Sequence, residues 1–300
     1  MAILLDENTH VLIQGITGRE GMRACKEMLG YGTDVVAGVT PGKGGQSVED
    51  VPVYNTVQEA LEQHPHINTS LVTVPALAVK SAVLEALENG IALINILSEH
   101  VPTQDCAVLY ATARAKGSRI VGPSSVGIIA PGVAKLGSVG SGGIDAVFKK
   151  GHIGLISKSG GMTAEIGVVL SNAGFGQSTA VGIGGDPIIG SDFVDLLELF
   201  ERDSETHATV LFGEVGGTYE ERVAHYVKEK KFTKPIVAVV AGEFAESLPK
   251  GTVLGHAGAI VLKGRGSYTS KVTALKEAGV LVAETLEEVP VLLKKALESV

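Results

Sequence analysis

Three hundred residues, 45% hydrophobic and 4% aromatic, carry 25 Lys and Arg against 33 Asp and Glu, a formal net charge of −8. That length suffices for two domains with a core each, and the acidic balance argues against nucleic acid as a partner. No apolar run is long enough to span a bilayer, and the opening MAILLDENTH has neither a basic n-region nor a cleavage pattern, so a cytoplasmic protein without a membrane partner is expected. Cys25 and Cys106 lie far apart, with neither a CxxC pair nor metal-ligand spacing, and read as reduced structural thiols. No metal-ligand set is evident. The 39 glycines and the absence of tryptophan point to many tight strand-to-helix turns and away from an aromatic-rich β-sandwich.

In chain order, an apolar strand over 11–14 runs into Gly15, Gly18 and Gly21, spaced as GxxGxxG, and then a helical stretch through residue 29. The turn resembles a dinucleotide-binding loop without matching its GxGxxG spacing. The next strand, 35–39, ends in TPGKGG, where a nicotinamide-binding fold places an Asp or Glu for the ribose hydroxyls. Lys43 stands there instead. A cation beside a helix N-terminus suits a phosphorylated nucleotide such as the 3′-phospho-ADP part of coenzyme A; the alternative is a solvated lysine in a glycine turn. Strands at 70–74, 92–97 and 119–121 alternate with helices at 79–89 and 104–116, a βαβ rhythm that predicts a parallel, doubly wound sheet. Thr17, Lys43, Pro75, Ser98 and Glu99 follow the carboxyl ends of these strands, where ligands of such sheets sit. The glycine-rich stretch 129–150 breaks the periodicity and reads as a linker between domains at 1–128 and 151–300.

A second α/β set begins at 152–157, and four of its strand ends run into glycine and polar residues, at 157–161, 182–186, 213–217 and 241–243. In a parallel sheet they open on one crevice and offer helix N-terminal N–H groups, the carboxylate of Glu214 and an imidazole, a constellation that fits phosphate. For any one loop, close packing of strand on helix explains the glycines equally well. The imidazole is His256, within LGHAGAI at 254–260, where small neighbours leave it sterically open. It is the candidate chemical centre, against the alternative of a surface histidine in an ordinary loop, and Glu214 is placed to hold its tautomer.

The motifs QGITGREG, VTPGKGG, VGIGGDP, GEVGG and GHAGAI, in this order and spacing, closely resemble the α subunit of succinyl-CoA synthetase across nearly the whole chain. The resemblance implies a Rossmann-like CoA-binding domain followed by a flavodoxin-like, doubly wound ligase domain, and a tricarboxylic acid cycle type of acid–thiol ligase. It also implies an ATP-grasp β subunit that brings ATP or GTP with Mg²⁺. Nucleotide would phosphorylate His256, the phosphoryl group would pass to a small carboxylic acid, and the CoA thiol would attack the acyl phosphate. Glu214 would steady the ring. Thr17, Gly18, Arg19, Glu20, Lys43, Leu97, Ser98 and Glu99 match the family's coenzyme A contacts. Ser157, Ser159, Gly160, Gly161 and Ala164 fall in its phosphate and substrate segment.

Two segments depart from the family. GPSSVG at 122–127 replaces GPNCPG, and SKSGGMTAE at 157–165 replaces SRSGTLTYE, so that Ala164 stands at the substrate-side tyrosine position. These segments, with GEVGGT and KFTKPIV, are similar to ATP-citrate lyase and citryl-CoA synthetase, which makes citrate or another short anionic acid the rival to succinate. A non-catalytic CoA-binding regulatory module is the alternative of another class, but it needs neither His256 nor Glu214. A nicotinamide dehydrogenase is disfavoured by Lys43.

Overall fold

The computed structural model describes residues 2–140, 143–248, 255–259, 261 and 266–298. Residues 141 and 142 of the expected linker, and Leu254 and Ile260 at the ends of the histidine segment, lie outside that set.

In the first half, β1 (His10–Gln14) runs into α1 (Arg19–Tyr31) and β2 (Asp34–Val39). A small hairpin, β3 (Ser47–Val48) and β4 (Val51–Tyr54), precedes α2 (Val57–Gln63) and β5 (Thr69–Val72). Then come α3 (Val79–Glu88), β6 (Leu93–Ile96), α4 (Thr103–Lys116) and β7 (Arg119–Val121). The strand order is β3-β4-β2-β1-β5-β6-β7, parallel except for β3 against β4. Helices cover both faces, so strands such as LINI of β6 are buried throughout and read as continuous apolar runs. From β1 the chain builds outward through β2 on one side and returns through β5 on the other. The carboxyl ends of β1 and β5 therefore flank a topological switch point.

The second half opens with β8 (Gly127–Ala130), β9 (Ala134–Gly137) and the one-turn α5 (Ile144–Val147). It continues with β10 (Lys150–Ser157), α6 (Gly160–Asn172), β11 (Gln177–Gly182), α7 (Phe193–Arg202) and β12 (Ala208–Glu214). It ends with α8 (Tyr219–Lys228), β13 (Ile236–Ala241), α9 (Tyr268–Glu277), β14 (Leu281–Ala283) and α10 (Glu288–Leu297). The order β14-β13-β12-β10-β11-β8-β9 is parallel from β14 to β11 and antiparallel at the β8–β9 edge. Here the switch point lies between β10 and β12. Among the described residues no helix is long and apolar enough to cross a membrane.

Part of the stretch expected as a linker, 129–150, is built into the second sheet. Most of its first part belongs to the β8–β9 hairpin, which extends the second sheet and packs β9 on α1 of the first half. Thr33 Oγ1 donates to the Lys135 carbonyl (2.8 Å) and accepts from its N–H (2.9 Å), while Lys135 Nζ meets Glu27 Oε2 at 2.9 Å. Two four-residue strands, each bounded by a glycine on one side and one of them holding a lysine, have too little apolar length to stand out from turn sequence.

Candidate active site

The carboxyl ends of the two sheets face each other across a cleft of about 700 Å³ lined from both halves. Glu20 and Arg23 of α1, Thr73 after β5, and Leu97, Ser98 and Glu99 after β6 form one wall. The other wall holds Lys158, Ser159, Gly160 and Gly161 after β10, Gly185 and Asp186 after β11, and His256.

His256 reaches this wall because the segment around it lies on the loop after β11. Gly258 N–H donates to the Gly185 carbonyl (2.9 Å), and Ala259 N–H to that of His256 (3.1 Å). Gly185 must lack a side chain, since a Cβ there would lie 2.6 Å from Cγ and Nδ1 of the imidazole. Glu214, the buried last residue of β12, brings Oε2 to 2.5 Å from His256 Nδ1. Its other oxygen lies 3.3 Å from Nζ of Lys158, a buried lysine at the end of the neighbouring β10. Behind the carboxylate, Glu214 N–H donates to Glu220 Oε1 (3.0 Å), and Glu220 is itself paired with the buried Lys271 of α9. Glu214 is thus held at both backbone and side chain.

Burial of Glu214 opposes ionisation, but the hydrogen bond from His256 and the charges of Lys158 and His256 outweigh it and hold the carboxyl below its ordinary value. The hydrogen bond to Glu214 lifts the His256 pKa above normal; desolvation and Lys158 pull the other way. When the ring is neutral and Glu214 ionised, Nδ1 carries the proton it donates and Nε2 keeps its lone pair. Burial raises the carboxyl pKa of Asp186, while the hydroxyl of Ser124, donating at 2.9 Å, acts against it.

Next to the imidazole, α6 begins at Gly160 with Ser159 as its cap, Oγ accepting from Met162 N–H at 3.4 Å. The N–H groups of Gly160 and Gly161 precede the first intrahelical bond and suit an anion at the cleft wall. Ser157 is buried and shapes this turn, its Oγ donating to the Ser159 carbonyl at 2.7 Å. Ala164 sits half-buried one turn further on and does not line the cleft.

In the first half, Glu20, Leu97, Ser98 and Glu99 line the cleft, whereas Thr17, Gly18, Arg19 and Lys43 lie beyond it. Thr17 Oγ1 donates to Thr40 Oγ1 (3.2 Å), and Lys43 N–H to the Thr40 carbonyl (3.0 Å), so the exposed Lys43 turn is tied to the loop that starts α1. Gly18 caps α1 without a side-chain bond, which leaves first-turn N–H groups for phosphate. Cleft, bare helix start and outlying lysine fit an extended phosphorylated thiol such as coenzyme A. A group of three potential metal ligands among the described residues, His10, Asp34 and His66, has ligand atoms within 4.8 Å of one another. It lies at the amino ends of the strands, away from the cleft; its members are too scattered in sequence to have formed a visible motif.

Sequence reasoning passed over Lys158, Asp186, Ser124 and Arg23. Lys158 had a signal, a lysine closing an apolar strand between two serines already of interest; the others come to the cleft only through tertiary folding.

A CoA binding domain family model matches residues 6–100, and a CoA-ligase model matches residues 156–281. The chain is 45% identical over 298 residues to succinate–CoA ligase [ADP-forming] subunit alpha 1 of Archaeoglobus fulgidus, covering 99% of both chains. It belongs to the succinate–CoA ligase α-subunit family. The ADP-forming sulfoacetate-CoA ligase subunit SauD of Bilophila wadsworthia is also similar to this α-subunit family member, 43% identical over 297 residues, with 99% of this chain and 100% of that one covered. Among solved structures, ATP citrate lyase from Methanothrix soehngenii, in complex with citrate and coenzyme A, superposes with a TM-score of 0.92 at 26% identity. That superposition covers 99% of this chain and 51% of the lyase, so this α-subunit chain spans about half the lyase's length. The matched models make the first half CoA-binding and the second a CoA-ligase domain.

Proposed function

We propose that the chain is the α subunit of a nucleotide-dependent acid–CoA ligase in which His256 carries the phosphoryl group. The observation that carries this reading is the Nδ1-anchored imidazole at the cleft wall beside the open start of α6. Nε2 attacks the terminal phosphorus of ATP or GTP; the N–P bond forms as the P–O bond breaks, and its electron pair leaves with the nucleoside diphosphate. The Nδ1 proton stays in its bond to Glu214, whose charge offsets the positive charge the ring gains. An oxygen of the acid then takes the phosphoryl group, and the N–P electrons return to Nε2. The CoA sulfur attacks the acyl carbon, inorganic phosphate departs, and the thiol proton goes to that phosphate. N–H groups of Gly160 and Gly161 stabilise the phosphoryl oxygens in transit. Nucleotide and Mg²⁺ come on an ATP-grasp β subunit.

Succinate is favoured by similarity over the whole chain. A second reading, a bulkier or differently charged short acid such as citrate or sulfoacetate, is supported by Gly161, which lines the cleft where a threonine is expected; Ala164, at the expected tyrosine position, stands one turn behind it. A Cβ at Gly161 would meet nothing within 4 Å, so the mouth of the acid site is open there. The test is co-expression with the partner subunit and a panel of these acids in a CoA- and nucleotide-dependent thioester assay. Thioester formed from one or more acids only when nucleotide is present is expected; none with any acid would refute the ligase assignment.

A further inference from the structure

We propose that Lys158 is a positioning residue of the phosphoryl relay, holding Glu214 in place as a carboxylate and preventing that carboxylate from trapping His256 as an unreactive imidazolium; this rests on the relay role assigned to His256. The side chain of Lys158 is 1% exposed, at the end of β10. Its backbone N–H donates to the Phe212 carbonyl of β12 at 3.1 Å, which fixes it two residues short of Glu214 across the switch point. Nζ then lies 3.3 Å from Glu214 Oε1 and 5.6 Å from the centroid of the Tyr219 ring, whose face shields it from water. Among the described residues Glu214 is the only carboxylate within ion-pair distance of this buried ammonium.

The consequence is a matter of charge. A buried Glu–His pair alone is most stable as carboxylate and imidazolium, and an imidazolium has no lone pair with which to attack phosphorus. Lys158 already neutralises Glu214, so protonation of His256 adds a net positive charge to the trio. The groups facing the ring are Glu214 from β12, Lys158 from β10 and Asp186 from the loop after β11, with Glu99 and His100 acting on Asp186 from across the cleft. Asp186 offsets part of that charge, and burial draws its carboxyl toward the neutral form. The lysine thereby lets Glu214 orient Nδ1 and stabilise the phosphorylated ring without locking a proton on Nε2.

The experiment compares Lys158→Met, Lys158→Gln and Lys158→Arg with the parent by two measurements on the full chain. The first is NMR titration of His256 in the chain alone; the second is the pH profile of nucleotide-dependent His256 phosphorylation with the β subunit present. The Met and Gln variants should show a higher imidazole pKa and a rate at pH 7 lower by on the order of tenfold or more that recovers as pH rises, while Arg keeps both near the parent. An unchanged or lowered His256 pKa in whichever neutral variant folds would overturn the proposal and leave Lys158 a space-filling residue. A parent that acquires no phosphohistidine would instead overturn the relay role of His256, while the NMR titration still decides whether Lys158 sets the ring's pKa.

Discussion

At His256 the balance of protonation follows from its neighbours, and so does its pH dependence. Glu214 raises the imidazole pKa, so the neutral, nucleophilic form becomes dominant only above the ordinary 6.5, and phosphorylation should accelerate as pH rises through that raised value. Replacing Glu214 by Gln should lower the imidazole pKa yet slow phosphorylation, on the order of 10- to 100-fold, because the ring loses its orienting charge. Quench-flow labelling across pH checks both signs. The mutual attraction of the two groups also stabilises the fold, and it is present only where both are charged. That window runs from the depressed pKa of Glu214, below 4.5, to the raised pKa of His256; the contribution fades as pH falls through the first or rises through the second. The stability difference between parent and Glu214→Gln in urea should therefore be larger at pH 6 than at pH 9. Both residues were legible because glycines flank them in sequence. Lys158 was legible only as a lysine closing an apolar strand between two serines, and Asp186 not at all as a partner of the ring, since their meaning lies in what other strand ends bring within reach.

At the level of elements, the parallel strands of the first half outside the β3–β4 hairpin and the start of the second could be read because each is a short apolar run between turn residues, with α1, α3 and α4 as the stretches between them, and observed ends differ from the expected ones by at most two positions. The β8–β9 hairpin could not. Its lysine, Lys135, is buried on α1, with Glu27 and Thr33 supplying the partners that make such burial tolerable. Gly127, which begins β8, has φ +118, and a Cβ there would lie 2.0 Å from the Leu136 carbonyl oxygen. Gly127→Ala should cost about 2–3 kcal/mol in urea unfolding. A cost below about 0.5 kcal/mol would contradict the docking of this hairpin.

On the scale of the whole molecule, the proposed chemistry divides between the two halves, the CoA-binding first half taking the thiol substrate in this reading and the CoA-ligase half the phosphoryl and acid groups. Lys43, outside the cleft but tied to the start of α1, is proposed to meet an outlying phosphate of coenzyme A. Lys43→Ala should weaken coenzyme A binding by about 1–3 kcal/mol and dephospho-CoA binding less, as calorimetry can show. Acid choice is proposed to rest with the other half. With the partner subunit present, Ala164→Tyr should raise the kcat/KM ratio of succinate over bulkier acids by restoring bulk and a hydrogen-bond donor; an unchanged ratio would make position 164 packing alone. The measurement that bears most directly on the whole account is site mapping of phosphate transferred from γ-labelled nucleotide to the chain in complex with its β subunit. An acid-labile, base-stable label on His256, abolished in His256→Asn, is the predicted result, and label persisting on the Asn variant would contradict it.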